Sequence, residues 1–145
     1  MTQTTSQWSA EAMRELGTRH AQVEADGDLE ATMDTLVEVP VYEFWPAGRR
    51  ATGREPVRRY YEHLINDFMP RQIGYALIEE WVSESSLAQE YSIEIHGQSG
   101  PETHHVIGIL WAADGLLGGE RIWGDEAFLR KMVGPVWDDL EVIER

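Results

Sequence analysis

The spacing of apolar residues turns from mainly helical to mainly strand-like at Met69-Pro70, and that change limits the folds open to this chain. Before it the period is helical. Met13, Leu16, His20 and Val23 share one face behind a helix start at Ser9-Ala-Glu-Ala, and Asp26-Gly27-Asp28 is the expected stop. A second helix is predicted with Leu29, Met33, Leu36 and Val37 on its buried face. Pro40 ends it, because proline cannot continue the hydrogen-bond ladder. Val41 to Trp45 reads as a short strand, and Arg49 to Thr52 as another, in a turn bracketed by Gly48 and Gly53. A third helix starts near Glu55-Pro56 and closes at Pro70. Its apolar side carries Val57, Tyr60, Tyr61, Leu64, Ile65 and Phe68.

After Pro70 the period becomes that of strands. Ile73 to Val82 is followed by a serine turn, and Leu87 to His96 then alternates. Gly97 to Glu102 reads as a loop, and His104 to Ala112 as a central strand, apolar on both faces. Ala113-Asp114-Gly115-Leu116 is a hairpin signal, since Asp-Gly suits a type I′ turn. Leu117 to Trp123 returns, and Asp125 caps a last helix over about Glu126 to Val133. Helices then long antiparallel strands predict an α+β fold. A curved antiparallel sheet wraps around helices to form a cone-shaped barrel with a central pocket. One domain is expected over 1–145, with a core of about 8–134 and an acidic tail, 135–145, packing back through Trp137, Leu140 and Ile143.

Composition removes several function classes. A net charge of −14 opposes binding to a phosphate backbone, so no nucleic-acid partner is expected. The absence of cysteine excludes disulfides, thiol nucleophiles and thiolate metal sites. Met1 to Ser6 is polar, without the apolar core of a signal peptide, and no run approaches the ~20 apolar residues of a membrane span. A cytoplasmic protein without membrane partners is the expectation. His104 and His105 are adjacent on a strand and point to opposite faces, so they do not form a metal pair. Gly118-Gly119 lies in a strand with no following helix, so no phosphate cradle is present. No metal and no cofactor are expected.

Three segments carry a resemblance. They are Ala25-Asp-Gly-Asp-Leu29, then Ala51-Thr-Gly-Arg-Glu-Pro-Val-Arg-Arg-Tyr-Tyr61, and finally Trp111-Ala-Ala-Asp-Gly115 with Gly119-Glu-Arg-Ile-Trp-Gly-Asp125. In this order and spacing the chain resembles the SnoaL-like members of the nuclear-transport-factor-2-like superfamily, related to polyketide cyclases and ketosteroid isomerases. The resemblance implies that the isomerase general base falls at Phe44, its protonated-carboxyl donor near Ile107 and its tyrosine donor at His20. Phenylalanine and isoleucine transfer no proton, so that isomerisation is not expected. The aspartate and histidine of SnoaL-like cyclases have their nearest counterparts in Glu120 and His105.

The strand pattern places further residues. Gln89, Tyr91, Ile93 and Ile95 are expected to line the cone, with His105, Ile107, Ile109 and Trp111 beside them and Glu120 opposite Ile109. A slip of one residue would exchange the faces. His20 is either a core histidine bonded to a neighbour or a general acid/base. Glu120 is either a buried acid paired with Arg49 or Arg121, or a carboxyl in an apolar cone with a raised pKa. The candidate catalytic residues are therefore His20, Glu120 and His105. The candidate substrate-binding residues are Phe44, Tyr60, Tyr91, Ile107, Ile109 and Trp111. So many aromatics around one cone point to a hydrophobic, ring-bearing small molecule. An isomerase/cyclase or a lyase/hydrolase would act on it, without a cofactor. The rival class is a non-catalytic ligand-binding or dimeric scaffold domain with a degenerate pocket. A homodimer is expected through the outer sheet face, since Val106 to Leu110 is apolar on both sides.

Overall fold

The computed structural model describes residues 7–144; the polar opening Met1–Ser6 and the final Arg145 lie outside the described residues. Four helices pack on one face of a curved seven-stranded sheet. Helix α1 is Ala10–Ala25, capped by Ser9, whose hydroxyl accepts the Ala12 N–H at 3.1 Å. Helix α2 is Leu29–Asp34, and β1 is Leu36–Trp45. Strand β2 is Arg49–Thr52, and α3 is Arg54–His63. A π turn, Leu64–Phe68, and a short 3₁₀ turn lead into β3, Gln72–Val82. Strands β4 (Ser86–Gly97), β5 (Gly100–Ala113) and β6 (Leu116–Trp123) follow. Helix α4, Glu126–Val133, begins at Asp125, whose Oδ1 accepts the Phe128 N–H at 2.9 Å. The acidic tail is part of the fold. Trp137 and Leu140 are buried, and β7, Glu141–Val142, pairs with β2.

The sheet order is β3-β4-β5-β6-β1-β2-β7, with β1 and β6 parallel and every other pair antiparallel. Two register shifts between β3 and β4 bend the sheet around the helices. Among the described residues no helix is long and apolar enough to cross a membrane.

Two local expectations are corrected. The second helix does not reach Pro40: it stops at Asp34, and Leu36 already begins β1. Leu36-Val-Glu-Val-Pro-Val-Tyr alternates with β-branched residues and suits a strand, with Leu36, Pro40 and Tyr42 turned inward. Pro40 sits where β1 loses register with β6, so its missing N–H breaks no ladder bond, and its carbonyl accepts the Gly53 N–H at 2.8 Å. Arg54 of α3 anchors the junction, donating to the carbonyls of Met33 and Val37 at 3.1 Å each.

The second correction concerns the faces of β5. Gly97 to Glu102 is not an open loop. Gly97 pairs with Gly100, and the tight turn between them sets the whole β4–β5 register. Gln89, Tyr91 and Ile93 therefore face Gly108, Val106 and His104. His105, Ile107, Ile109 and Trp111 belong to the opposite, outer face. There Ile107 is 39% exposed, beside Trp123 at 43% and in the same apolar field as Trp81.

Strand β6 carries one extra residue. Ala112 pairs with Leu117, but Trp111 pairs with Gly119, so Gly118 is a bulge. Beyond it Glu120 lies opposite Leu110 on the inner face and Tyr42 on β1, not opposite Ile109. Neither bulge glycine tolerates a side chain. A Cβ on Gly118 would stand 2.4 Å from the Trp111 indole, and one on Gly119, at φ 155°, would stand 1.8 Å from the Val41 carbonyl oxygen. Gly119→Ala is accordingly expected to cost about 3 kcal/mol, lowering the melting temperature by roughly 10 °C in calorimetry. An unchanged melting temperature would mean that β1 and β6 do not approach this closely.

Candidate functional site

Helices α1 and α3 and the inner faces of β3 to β6 enclose a cavity of about 510 Å³. His20, Glu24, Tyr60, Tyr91 and Glu120 are its chemically distinctive lining, among apolar neighbours such as Leu64, Ile93, Leu110 and Met132. Tyr75 of β3 also lines it and is 53% exposed, so the cavity opens to solvent there. A smaller hollow of about 260 Å³ lies by Arg71, His96 and Lys131, but Lys131 is already engaged by Glu102 at 3.1 Å.

His20 sits on the buried stripe of α1, only 3% exposed. The Thr35 hydroxyl donates to the Thr32 carbonyl at 2.6 Å, so its oxygen accepts the His20 Nδ1–H at 2.7 Å. That fixes the proton on Nδ1 and turns Nε2 toward the Tyr61 hydroxyl at 3.0 Å and Glu24 Oε2 at 3.2 Å. Tyr61 in turn meets the Tyr42 hydroxyl at 2.5 Å. A buried chain thus runs Tyr42, Tyr61, His20, Thr35, Thr32. Burial first, and then the Glu120 charge for Tyr42 and the neighbouring Tyr42 hydroxyl for Tyr61, hold both tyrosines well above their ordinary pKa, so they remain neutral hydroxyls.

Glu120 has neither a hydrogen bond nor an ion pair among the described residues. Arg121 lies over the outer-face Trp111 ring at 5.1 Å and Arg49 over Trp137 at 6.0 Å, so neither neutralises it. Glycine at 108 makes room for the carboxyl: a Cβ there would stand 3.1 Å from Glu120 Oε2. Burial, and then the nearby Glu24 charge, raise the Glu120 pKa to about 8. Near neutral pH the group is largely a carboxylic acid that can donate a proton; as the conjugate base it can take one back.

Of the candidates from the sequence, His20, Glu120, Tyr60 and Tyr91 meet in the cavity. His105 is exposed on the outer face opposite Ser92, away from them. Ile107, Ile109 and Trp111 share that outer face for the register reason given above. Phe44 points inward but is 0% exposed, packed behind Tyr60 at 5.6 Å and against Trp137 at 6.1 Å. Glu24 and Thr35 went unrecognised. Glu24 had a signal, four residues after His20 on the same helix face. Thr35 had none, because only the fold brings it to the imidazole.

The architecture is the nuclear-transport-factor-2-like, or cystatin-like, α+β cone. An NTF-2 like protein of unknown function from Burkholderia xenovorans LB400 is 22% identical, with 79% of this chain and 84% of that one covered, at TM-score 0.63. PrhC from Penicillium brasilianum NBRC 6234 is 18% identical over 85% and 86%, at TM-score 0.63. SalBIII, described as an epoxide hydrolase/cyclase-like enzyme in pyran ring formation in polyether salinomycin, is 14% identical over 81% and 93%, at TM-score 0.65. No protein-family description and no curated protein sequence matches the chain. At these identities the likeness is one of fold.

The raised pKa of Glu120 has a consequence for stability. Below the ordinary value of 4.5 the carboxyl is protonated in both folded and unfolded chains, and its titration adds no pH dependence. As pH rises the unfolded chain loses the proton first, so stability falls until the folded group ionises at about 8. Glu120→Gln removes this loss. Urea unfolding at pH 5, 6.5 and 8 is expected to show the variant gaining on the wild type at each step, by on the order of 1 kcal/mol per pH unit. A difference that stays constant with pH would mean that Glu120 is solvated or paired.

Proposed function

We propose that the protein is a cytoplasmic small-molecule enzyme that performs cofactor-free acid/base chemistry on a hydrophobic, ring-bearing substrate. The reaction class is cyclisation, isomerisation, dehydration or hydrolysis. One observation carries this reading: an unpaired carboxyl group held inside a tyrosine-lined cavity large enough for a fused-ring molecule. Such a group costs stability where it stands, and an acid with a pKa near working pH is suited to giving and taking a proton. In this reading Glu120 is the proton-transfer residue. His20, held by Thr35 and Tyr61, is the second polar group facing the substrate, and Tyr60 and Tyr91 shape the site. His105 has no part in it.

A second reading, ligand binding without turnover, is favoured by Phe44, which stands where the resemblance puts the isomerase base. The two separate on a panel of cyclic ketones and ring epoxides, with products followed by mass spectrometry and binding by thermal shift. The expectation is turnover with an inflection in kcat/KM near pH 8. Glu120→Gln should abolish the inflection and lower turnover at least about 100-fold while ligands still bind. Compounds that bind without any product, or full turnover by Glu120→Gln, would establish the binding reading instead.

The outer sheet face supports a homodimer. Trp81, Ile107 and Trp123 are each more than a third exposed there, and a second copy is the cover we propose for them. Sedimentation at micromolar concentration is expected to give a dimer, and Ile107→Glu a monomer with its α+β spectrum intact. A monomeric wild type would sink this part of the proposal without touching the cavity.

A further inference from the structure

The charge inventory of the cavity is one-sided. Its lining holds two carboxyl groups, Glu24 and Glu120, and no lysine or arginine. The arginine next to Glu120 is turned through the sheet onto the outer Trp111. The field inside is negative once Glu120 is ionised: the carboxylates of Glu120 and Glu24 both add to burial in pushing up the hydroxyl pKa of Tyr60 and Tyr91. The walls that bear on Glu120 supply nothing to offset it. They present His20 and Glu24 from α1, Tyr60 from α3, Tyr42 from β1, Tyr75 from β3 and Tyr91 from β4, whereas β5 offers only Gly108 and Leu110.

A second observation is independent of charge. Tyr60 is 3% exposed and lines the cavity, yet its hydroxyl has no hydrogen-bond partner among the described residues. Two polar groups, Glu120 and the Tyr60 hydroxyl, thus face one cavity without a protein partner among the described residues. Rings lie beside them, with Tyr75 and Tyr91 5.5 Å apart and tilted by 35°. Aromatic faces beside carboxylates form the setting in which organic cations bind.

We propose that the ligand of this cavity carries a protonated amine on its hydrophobic ring system. Glu120 is its counter-ion, the Tyr60 hydroxyl accepts one of its N–H bonds, and the Tyr75–Tyr91 pair flanks the ring. This rests on the reading of the cavity as a small-molecule site and narrows that reading to a substrate class. An anionic ligand would meet two carboxyl groups and no cation. A neutral ligand would leave Glu120 uncompensated whenever it ionises. Binding a cation favours the ionised carboxylate, so an ammonium ligand expels the proton of Glu120 as it binds.

Three tetralins of one shape separate these cases: 2-aminotetralin, 2-tetralol and tetralin-2-carboxylate, titrated calorimetrically into the full-length protein at pH 6 and pH 8. The amine stays protonated across this range. Its affinity is expected to rise by about tenfold or more from pH 6 to pH 8. A proton should be released on binding, seen as a heat that varies with the ionisation enthalpy of the buffer. At pH 8 the amine should bind at least tenfold tighter than the alcohol, the alcohol should be indifferent to pH, and the carboxylate should bind weakest. Glu120→Gln should bring the amine to the level of the alcohol and abolish its pH dependence. If that variant does not fold, the proton release and the pH dependence of the wild type decide alone. An alcohol that binds as tightly as the amine at both pH values overturns the proposal and leaves the cavity reading standing. So does tighter binding of the carboxylate. A pH dependence that survives in Glu120→Gln belongs to another group and also overturns it. Failure of all three tetralins to bind overturns the proposal, and failure of every ring compound in the wider panel removes the cavity reading with it.

Discussion

The bulge at Gly118 decides what this cavity contains. Without the extra residue, the Asp114-Gly115 hairpin would place Glu120 opposite Ile109 on the outer face, and Arg121 would point into the core. With it, Glu120 enters and Arg121 leaves. One unpaired residue in one strand therefore sets the charge of the whole interior. The bulge is locked by close packing on both sides: Trp111 lies against the two glycines, and the Val41 carbonyl of the parallel neighbour strand stands where a Gly119 side chain would begin. The outward Arg121 then covers Trp111 at 5.1 Å, so the same indole closes the bulge and receives the displaced cation.

The polar groups of the interior divide into two sets with different energetics. His20, Thr35, Tyr61 and Tyr42 satisfy one another in an unbroken hydrogen-bond chain. Such a chain costs little once formed, since each donor has an acceptor, and it fixes ring orientations. Glu120 and the Tyr60 hydroxyl face the same space and have no partner among the described residues. Burying a carboxyl without a hydrogen bond is unfavourable in either protonation state, and more so when ionised. A purely structural core would have no use for it, because a glutamine or leucine on the same strand would cost less. Perturbed, unpaired acids in cavities concentrate where a ligand completes them. The satisfied chain is the frame, and Glu120 and Tyr60 are polar groups left facing the cavity.

Much of the fold was legible in the order of periods. The helix caps at Ser9 and Asp125, the Asp-Gly hairpin and the alternation of β4 all rest on local rules, and the structure has them where those rules put them. Register was the weak link, because it depends on turns and bulges that leave faint traces. The faces of β5 were expected one residue out, since the Gly97–Gly100 turn was read as a loop. The bulge in β6 was not foreseen either. These two offsets cancel at Glu120, which is why a carboxyl placed opposite the wrong residue still arrived on the inner face. They do not cancel at His105, Ile107, Ile109 and Trp111, where only the first applies. His20 needed no register, because helical spacing alone puts it on the buried stripe. Its partners Thr35, Tyr61 and Tyr42 come from three different elements, and no local pattern brings them together.

Phe44 shows how a position can lose one role and keep another. The resemblance puts a proton-transferring base there, and a phenylalanine cannot act as one. The ring is nevertheless turned inward and fully buried, wedged between Trp137 of the C-terminal segment and the ring of Tyr60. It supports the tyrosine that faces the cavity, in the space a carboxylate would otherwise occupy. The acid that faces the cavity stands on β6 instead, opposite Tyr42 and next to the space left open at Gly108. The β1 side of the cone is packed core, and the polar surface that remains is gathered on α1, α3, β3, β4 and β6. There the cavity stays open, at about 510 Å³, around a carboxyl group that nothing in the described chain satisfies.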